Sequence, residues 1–256
     1  MTALVTGGGK RLGRAMALHL GACGHDVAVH YNTSSGGADA VVAELRDMGR
    51  QAVAVQADLL DEEATAGLVD QAAQALGAPL TVLINNASTF EHDTIANATR
   101  DSWDRHIGSN LRAPFVLTQA FAAQAPKAAN DGEPLATGLV INMVDQRVLK
   151  PTPEFMTYTI AKMALWAFTK TAAQALAPAI RVNAIGPGPT MQGARQSAEH
   201  FANQRAATIL KRGASPDEIC AALDYFLNAP GVTGQLLCVD GGQHLAWETP
   251  DILGVE

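Results

Sequence analysis

Tyr158 and Lys162 are spaced so that a helix would carry both side chains on one face. A phenol has an ordinary pKa of about 10, which makes it a poor acid–base group near neutral pH. A neighbouring ammonium favours the phenolate and therefore lowers that pKa. The pair can then give a proton to a substrate that receives a hydride. The alternative is an unrelated tyrosine and lysine on a helix surface.

A glycine-rich stretch from Thr6 to Gly13 follows a short apolar run and leads into a helical pattern. Glycines let the backbone approach a pyrophosphate, and a helix N-terminus offers N–H donors and a partial positive charge. The stretch departs from the G-x-G-x-x-G fingerprint because Leu12 occupies the third glycine position. It predicts a dinucleotide site at the first strand–helix junction, with an ordinary tight turn as the alternative.

The end of the second apolar run indicates which dinucleotide would bind. An acidic residue there would bond the ribose 2′-hydroxyl of NAD and repel a 2′-phosphate. The chain instead reads His30-Tyr31-Asn32-Thr33-Ser34-Ser35, which contains no carboxylate. These hydroxyls, with Lys10 and Arg11 nearby, can accept a phosphate, so NADPH is the predicted cofactor. The alternative is that the hydroxyl residues only cap the next helix.

Short apolar runs alternate with Ala- and Leu-rich helical stretches along the whole chain. Predicted strands cover 3–5, 26–31, 52–56, 80–84, 139–143, 180–185 and 236–239, and helices cover 12–22, 38–48, 62–76, 101 to beyond 121, 155–176 and a stretch from 215. Strands that are apolar on both faces and separated by helices predict a parallel sheet covered on both sides. We expect one α/β domain over 1–256, a doubly wound Rossmann fold of about seven strands, with a substrate flap at about 186–213.

The composition excludes several classes of protein. The 256 residues are 48% hydrophobic and carry a formal net charge of −7, which argues against a disordered chain and a nucleic-acid binder. The sequence has no run of about 18 apolar residues, so we expect no membrane-spanning helix, and its first ten residues predict no signal peptide. The three cysteines and seven histidines lack ligand spacing in the sequence, so no metal site is expected. A reduced, cytoplasmic protein is the simplest interpretation.

These motifs and their order resemble the short-chain dehydrogenase/reductase family over nearly the whole chain. Thr6 to Gly13 resembles its Thr-Gly-x-x-x-Gly-x-Gly turn, with Arg11 in place of the middle glycine. Asn85-Asn86-Ala87-Ser88 is similar to its Asn-Asn-Ala-Gly motif. Residue types and resemblance together predict cofactor contacts at Thr6, Gly7, Gly9, Arg11, Leu12, Gly13, Tyr31, Asn32, Thr33, Ser34, Asp58, Leu59, Asn86, Ala87, Ser88, Lys162, Pro187, Gly188 and Thr190.

Position 145, thirteen residues before Tyr158, carries Asp where the family usually has Ser. A charged carboxylate there would raise the Tyr158 pKa and oppose Lys162. We therefore expect Asp145 to be partly protonated, or bonded to a basic nitrogen of the substrate; the alternative is a degenerate site. Asp145 resembles the pteridine reductase branch, as do Arg11, Ser88 and Phe90, which imply substrate contacts, with Phe90 stacking on a planar ring. The family resemblance also implies that Asn110 completes a proton relay with Lys162.

The sequence thus predicts an NADPH-dependent reductase of a dihydropteridine of the dihydrobiopterin, dihydromonapterin or dihydrofolate type. The catalytic residues would be Tyr158, Lys162, Asp145 and Asn110. One alternative is a carbonyl reductase acting on 3-oxoacyl or sugar substrates, for which Ser is expected at position 145. Another is a nucleotide-sensing protein without catalysis, because a fold does not fix a function. The resemblance further implies a homotetramer.

Overall fold

Seven parallel strands form the central sheet of the computed structural model, which describes residues 1–193 and 196–249. The sheet strands are β1 (Thr2–Val5), β2 (Asp26–Tyr31), β3 (Ala52–Gln56), β4 (Val82–Asn85), β7 (Gly138–Met143), β8 (Ile180–Pro187) and β9 (Leu236–Val239). A separate antiparallel pair consists of β5 (Ala129–Asn130) and β6 (Pro134–Leu135). The order in the sheet is β3-β2-β1-β4-β7-β8-β9, as expected for a doubly wound fold.

Helices connect these strands and cover both faces of the sheet. They are α1 (Arg11–Ala22), α2 (Ser35–Asp47), α3 (Glu62–Leu76), α4 (Arg100–Ile107), α5 (Ala113–Gln124), α6 (Met156–Leu176), α7 (Ala198–Ala206) and α8 (Pro216–Asn228). A π-helical segment, Gly108–Arg112, joins α4 to α5, and short 3-10 turns lie at Gln146–Val148 and Gln243–Leu245. In the described ranges, no helix is long and apolar enough to cross a membrane.

The alternation of side chains along each strand divides the core into two layers. Ala3 and Val5 of β1 pack with apolar residues of α1, α2 and α8 on one face. Leu4, between them, packs with residues of α3, α5 and α6 on the other face. Because successive strand side chains point to opposite faces, both faces of these strands must be apolar. This explains the continuous apolar runs in the sequence and confirms the predicted fold class.

The structure corrects three details of the predicted elements. The helix expected from 101 to beyond 121 is interrupted by the π-helical segment, which sequence periodicity does not reveal. Helix α7 lies where a loose flap at about 186–213 was expected; it buries no residue and so lacks an apolar stripe. The strand expected at 80–84 starts two residues later, at Val82. Two flap residues, Ala194 and Arg195, lie outside the described part of the chain.

The strand order creates a crevice beside the glycine-rich stretch. The chain turns from β1 to β2 and β3 on one side, and then crosses back to place β4 on the other side of β1. Ligands of open α/β sheets bind beyond the carboxyl ends of strands at such a reversal. Thr6 follows β1 there, and Asn86 follows β4. The two predicted binding motifs therefore meet at one place.

Candidate active site

A cavity of about 970 Å³ opens beyond the carboxyl ends of the central strands. Most of the residues predicted to bind cofactor or substrate line it, namely Gly7, Arg11, Leu12, Gly13, Asn32, Asp58, Leu59, Asn86, Ala87, Ser88, Phe90, Asp145, Tyr158, Lys162, Pro187 and Gly188. The other predicted residues, Thr6, Gly9, Tyr31, Thr33, Ser34, Asn110 and Thr190, lie outside this lining. The fold thus gathers residues that are spread over 180 positions of sequence into one cavity.

The glycine-rich turn is closely packed at the entrance to α1. Gly7 adopts a positive φ of +61°, and its N–H donates a 3.0 Å hydrogen bond to Nδ1 of His30. A Cβ on Gly13 would lie 2.2 Å from the Gly7 carbonyl oxygen, so only glycine fits there. No side chain caps the α1 N-terminus, and its first turn contains no acidic residue. The backbone N–H groups in the first turn of α1 suit a phosphate, so the turn fits the predicted dinucleotide.

Arg11 occupies the left-handed region with a φ of +51°, which explains why glycine is usual at this position in the family it resembles. Its guanidinium donates hydrogen bonds to the carbonyl oxygens of Gln192, at 2.7 Å, and Met191, at 3.0 Å. Arg11 therefore ties the turn to the segment that follows β8. Thr190 lies in the same segment, is buried, and donates a 3.1 Å hydrogen bond from its hydroxyl to the Gly188 carbonyl.

Ser34, one of the hydroxyl residues after β2, does not cap the next helix through its side chain. Ser34 is the N-cap residue of α2, but its side chain makes no capping hydrogen bond. Its hydroxyl instead accepts a 2.5 Å hydrogen bond from Nζ of Lys10. An ammonium and a hydroxyl side by side suit a 2′-phosphate. Asp58, after β3, lines the cavity and accepts a 3.0 Å hydrogen bond from the Leu60 N–H.

Asp145 lies directly against the tyrosine of the Tyr-x-x-x-Lys pair. The Tyr158 hydroxyl donates a 3.0 Å hydrogen bond to Oδ2 of Asp145. Lys162 is buried and donates a 2.7 Å hydrogen bond to the Met143 carbonyl. The Lys162 ammonium lies 5.7 Å from the centre of the Tyr158 ring. The two side chains share one face of α6, as their spacing predicts.

The pKa values of Tyr158, Lys162 and Asp145 are all shifted from their ordinary values. Burial, followed by the charge and the hydrogen bond of Asp145, raises the Tyr158 pKa well above its ordinary value, in the direction expected from Asp145 and against the lowering expected from Lys162. Burial lowers the Lys162 pKa to about 8, against the opposing effect of Asp145. Burial also raises the Asp145 pKa, although Arg147, Tyr158 and Lys162 favour its ionised form. The raised Asp145 pKa agrees with the expected partial protonation.

Asn110 lies in the π-helical segment, a distortion that is frequent at functional sites. Its side-chain oxygen accepts a 2.6 Å hydrogen bond from the Ser88 hydroxyl. Its amide donates a 2.9 Å hydrogen bond to the Thr89 carbonyl. The side chain of Asn110 thus holds the segment after β4 in place, and the relay with Lys162 stays a prediction.

Aromatic side chains form one wall of the cavity. Phe90 is half exposed and stacks on Phe155, with ring centres 4.3 Å apart and planes 6° apart. Phe90 also meets Tyr158 edge to face, with ring centres 4.7 Å apart. The Arg147 guanidinium lies 5.0 Å from the centre of the Phe155 ring. Sequence reasoning missed Phe155 and Arg147, although an aromatic residue three positions before Tyr158 was a usable signal.

A buried polar network, also missed from the sequence, fixes the start of α6. Both the N–H and the hydroxyl of Thr157 donate to Asp93, at 3.1 and 2.5 Å. Nδ1 of His106 lies 2.7 Å from the Thr157 hydroxyl oxygen, and its Nε2 accepts a hydrogen bond from the Glu91 N–H. Since Nε2 accepts, Nδ1 carries the proton and the ring is neutral, in agreement with a His106 pKa that burial lowers. The network holds the residue before Tyr158.

Comparison with known proteins identifies relatives over nearly the full chain. The family model described as enoyl-(acyl carrier protein) reductase matches residues 9–244. A 3-oxoacyl-[acyl-carrier-protein] reductase of Synechocystis is 31% identical over 249 residues, which are 94% of this chain and 95% of that protein. FolM alternative dihydrofolate reductase 1 from Brucella suis is 43% identical with a TM-score of 0.90, and 98% of each chain is covered.

A second solved structure is similar over the same length of chain. FolM alternative dihydrofolate reductase 1 from Brucella canis is 42% identical with a TM-score of 0.89, and the match covers 98% of this chain and 97% of that one. Both Brucella proteins are in complex with NADP, which agrees with the predicted cofactor. Their names also fit the pteridine reductase-like branch that the sequence indicated. The chain is therefore a member of the short-chain dehydrogenase/reductase family.

Proposed function

We propose that the protein is an NADPH-dependent reductase that converts a dihydropteridine to its tetrahydro form. The substrates would be of the dihydrobiopterin, dihydromonapterin or dihydrofolate type. The observation that carries the proposal is the hydrogen bond between the Tyr158 hydroxyl and Asp145, in a site where burial raises the Asp145 pKa. A carboxyl group that can hold a proton suits a ring nitrogen better than a ketone oxygen. The FolM names of the solved neighbours support this choice.

The cavity supports the choice of cofactor by its own residues. The α1 N-terminus with Gly7 and Gly13 would hold the pyrophosphate, and Lys10 with Ser34 would hold the 2′-phosphate. Lys162 and the Pro187–Gly188 turn line the same cavity on the side of Tyr158 and would face the nicotinamide. When bound, NADPH supplies a hydride.

The chain's own groups would supply the proton that reduction of a C=N bond also needs. Tyr158 keeps its proton at neutral pH because its pKa is raised well above the ordinary value. Its hydroxyl carries one proton, which Asp145 accepts in a hydrogen bond that orients the side chain. Tyr158 can give this proton to the substrate when the hydroxyl turns from Asp145 toward the ring. Lys162, held by the Met143 carbonyl, places a positive charge beside the tyrosine ring. That charge stabilises a phenolate as it forms.

The aromatic wall supports a planar substrate. Phe90 and Phe155 present stacked rings to the cavity, and aromatic rings bind flat heterocycles by stacking. Ser88 and Arg11, which also line the cavity, are the proposed polar contacts of the ring. Arg147 lies over Phe155 and would meet a carboxylate attached to the ring, as in dihydrofolate.

A carbonyl reductase is the second candidate, because the family model and the Synechocystis relative are named for acyl-carrier substrates. The test is NADPH oxidation by the purified protein with dihydrobiopterin, dihydrofolate, a 3-oxoacyl thioester and a simple ketone. We expect pterin kcat/KM to exceed that for any carbonyl by at least about a hundredfold. Fast carbonyl reduction with little pterin turnover would establish the second candidate. We further propose that the enzyme is cytoplasmic and tetrameric.

A further inference from the structure

Three potential metal ligands meet where α1 packs against α8, away from the residues that line the cavity. His19 lies in the last turns of α1, and Cys23 follows one helical turn later on the same face. Asp224 projects from α8 toward both. Cys23 and Asp224 are 201 residues apart in the sequence, which is why ligand spacing along the chain did not reveal the cluster.

The distances within the cluster agree with those around a tetrahedral ion. Zinc binds thiolate sulfur at about 2.3 Å, and histidine nitrogen and carboxylate oxygen at about 2.0–2.2 Å. Tetrahedral angles then place the sulfur about 3.6 Å from both other ligand atoms. Sγ of Cys23 lies 3.6 Å from Nε2 of His19 and 3.7 Å from Oδ1 of Asp224.

One distance within the cluster is shorter than a tetrahedral ion requires. Nε2 of His19 and Oδ1 of Asp224 are 2.7 Å apart, as in a hydrogen bond. A zinc ion would need about 3.4 Å between these atoms, an opening of about 0.7 Å. Both side chains are partly exposed, and Cys23 is exposed, so small rotations suffice and an ion can enter from solvent.

From this geometry we infer a binding site for one divalent ion of the zinc class, formed by His19, Cys23 and Asp224, with water as the fourth ligand. A thiolate, an imidazole and one carboxylate favour zinc over magnesium or calcium, which prefer oxygen ligands. The ion would tie the end of α1 to α8. The role of the ion would be structural, because its ligands lie at the end of α1 that is opposite the phosphate-binding turn.

The probe is Co²⁺, added to the full-length protein in chelator-free buffer and followed by its thiolate charge-transfer absorption. We expect one Co²⁺ per chain, displaced by Zn²⁺. The band should disappear in Cys23→Ser and persist in the matched control Cys238→Ser, whose thiol lies on β9. His19→Gln and Asp224→Asn should weaken binding at least about tenfold, because each removes one ligand. Zn²⁺ should also raise the Tm of wild type and Cys238→Ser but not of Cys23→Ser.

The absence of a charge-transfer band at saturating Co²⁺ in folded wild type would overturn the inference. A band that survives Cys23→Ser would equally contradict it, since the thiolate would then lie elsewhere. Circular dichroism checks that each variant folds. If Cys23→Ser does not fold, His19→Gln decides the same question through its Co²⁺ affinity. None of these outcomes depends on which substrate the enzyme reduces.

Discussion

Asp145 determines the charge balance of the proposed catalytic group. It accepts the Tyr158 hydrogen bond and lies close enough to Lys162 to favour the ammonium form. A serine in its place would keep a hydrogen-bonding group but would remove the negative charge. The Tyr158 pKa would then be lower, because the charge of Asp145 raises it. The Lys162 pKa would also be lower, because Asp145 opposes the lowering caused by burial. The identity of residue 145 therefore affects both partners.

The first prediction concerns pH. Lys162 has a pKa of about 8, so its positive charge is present below that pH and is lost as pH rises through it. We expect kcat/KM to fall above about pH 8, while Tyr158 stays protonated throughout. Asp145→Asn removes the carboxylate that favours the Lys162 ammonium, so the Lys162 pKa drops further. The fall in the residual activity should move to lower pH by on the order of one unit.

Steady-state pH profiles of wild type and Asp145→Asn measure this shift. A fall at the same pH in both proteins would show that Asp145 does not act on Lys162. A wild-type profile that stays flat to pH 10 would contradict the lowered Lys162 pKa itself.

The second prediction concerns cofactor choice. Lys10→Gln removes the ammonium that bonds the Ser34 hydroxyl. A hydrogen bond to a charged group contributes about 1.5–3 kcal/mol, so the NADPH Kd should rise on the order of ten- to a hundredfold. The NADH Kd should not change. Fluorescence titration measures both, with the exposed Lys127→Gln as control. Equal losses for the two cofactors would contradict the assignment of Lys10 to the 2′-phosphate.

Among the secondary-structure elements, the turn between β1 and α1 packs closely around Gly13. Gly13→Ala would place a methyl group 2.2 Å from the Gly7 carbonyl and 2.6 Å from the Asn86 amide. Backbone must move to relieve the first contact, so we expect NADPH binding to weaken at least about tenfold and Tm to fall. Gly67→Ala, in α3, meets only the flexible end of Gln71 at 3.7 Å and serves as control.

Thermal unfolding and NADPH titration of the two variants test this account. The control should bind NADPH like wild type and should not lose stability, because alanine favours a helix over glycine. Normal NADPH binding by Gly13→Ala would contradict the placement of the pyrophosphate at this turn.

Most but not all of the secondary-structure elements could be predicted from the sequence. The strands and most helices could be predicted, since buried strands are apolar on both faces and α8 begins with a capping box from Ser215 and Glu218. Helix α7 could not be predicted, because it packs no buried side chain. The π-helical segment at Asn110 is a hydrogen-bonding irregularity without a local signature.

The same contrast holds within the site. Tyr158 was found from its spacing to Lys162, and Asp145 from its place thirteen residues before Tyr158, where the family pattern has Ser. Phe155 and Arg147 were missed because only the three-dimensional fold places them beside Phe90. The sequence indicated that Asp145 would raise the Tyr158 pKa, but it did not reveal burial, which is the largest cause of the shift.

At the scale of the whole molecule, one face of α6 stays exposed and apolar, with Ile160, Met163 and Ala167. Leu165 of the same helix is buried and belongs to the core. We expect a homotetramer in which this face is covered, with light scattering giving four times the chain mass. Ala167→Glu should yield smaller species, since a buried unpaired charge is costly. A wild-type monomer would contradict the tetramer.

In the proposed function, Asp145 adapts this fold to a dihydropteridine. The most direct test is kcat/KM for dihydrofolate and for a simple ketone, measured with NADPH in wild type and Asp145→Ser. We expect dihydrofolate turnover to fall at least about a hundredfold in the variant while NADPH affinity is unchanged. Unchanged dihydrofolate turnover in the variant, or wild-type turnover of the ketone alone, would contradict it.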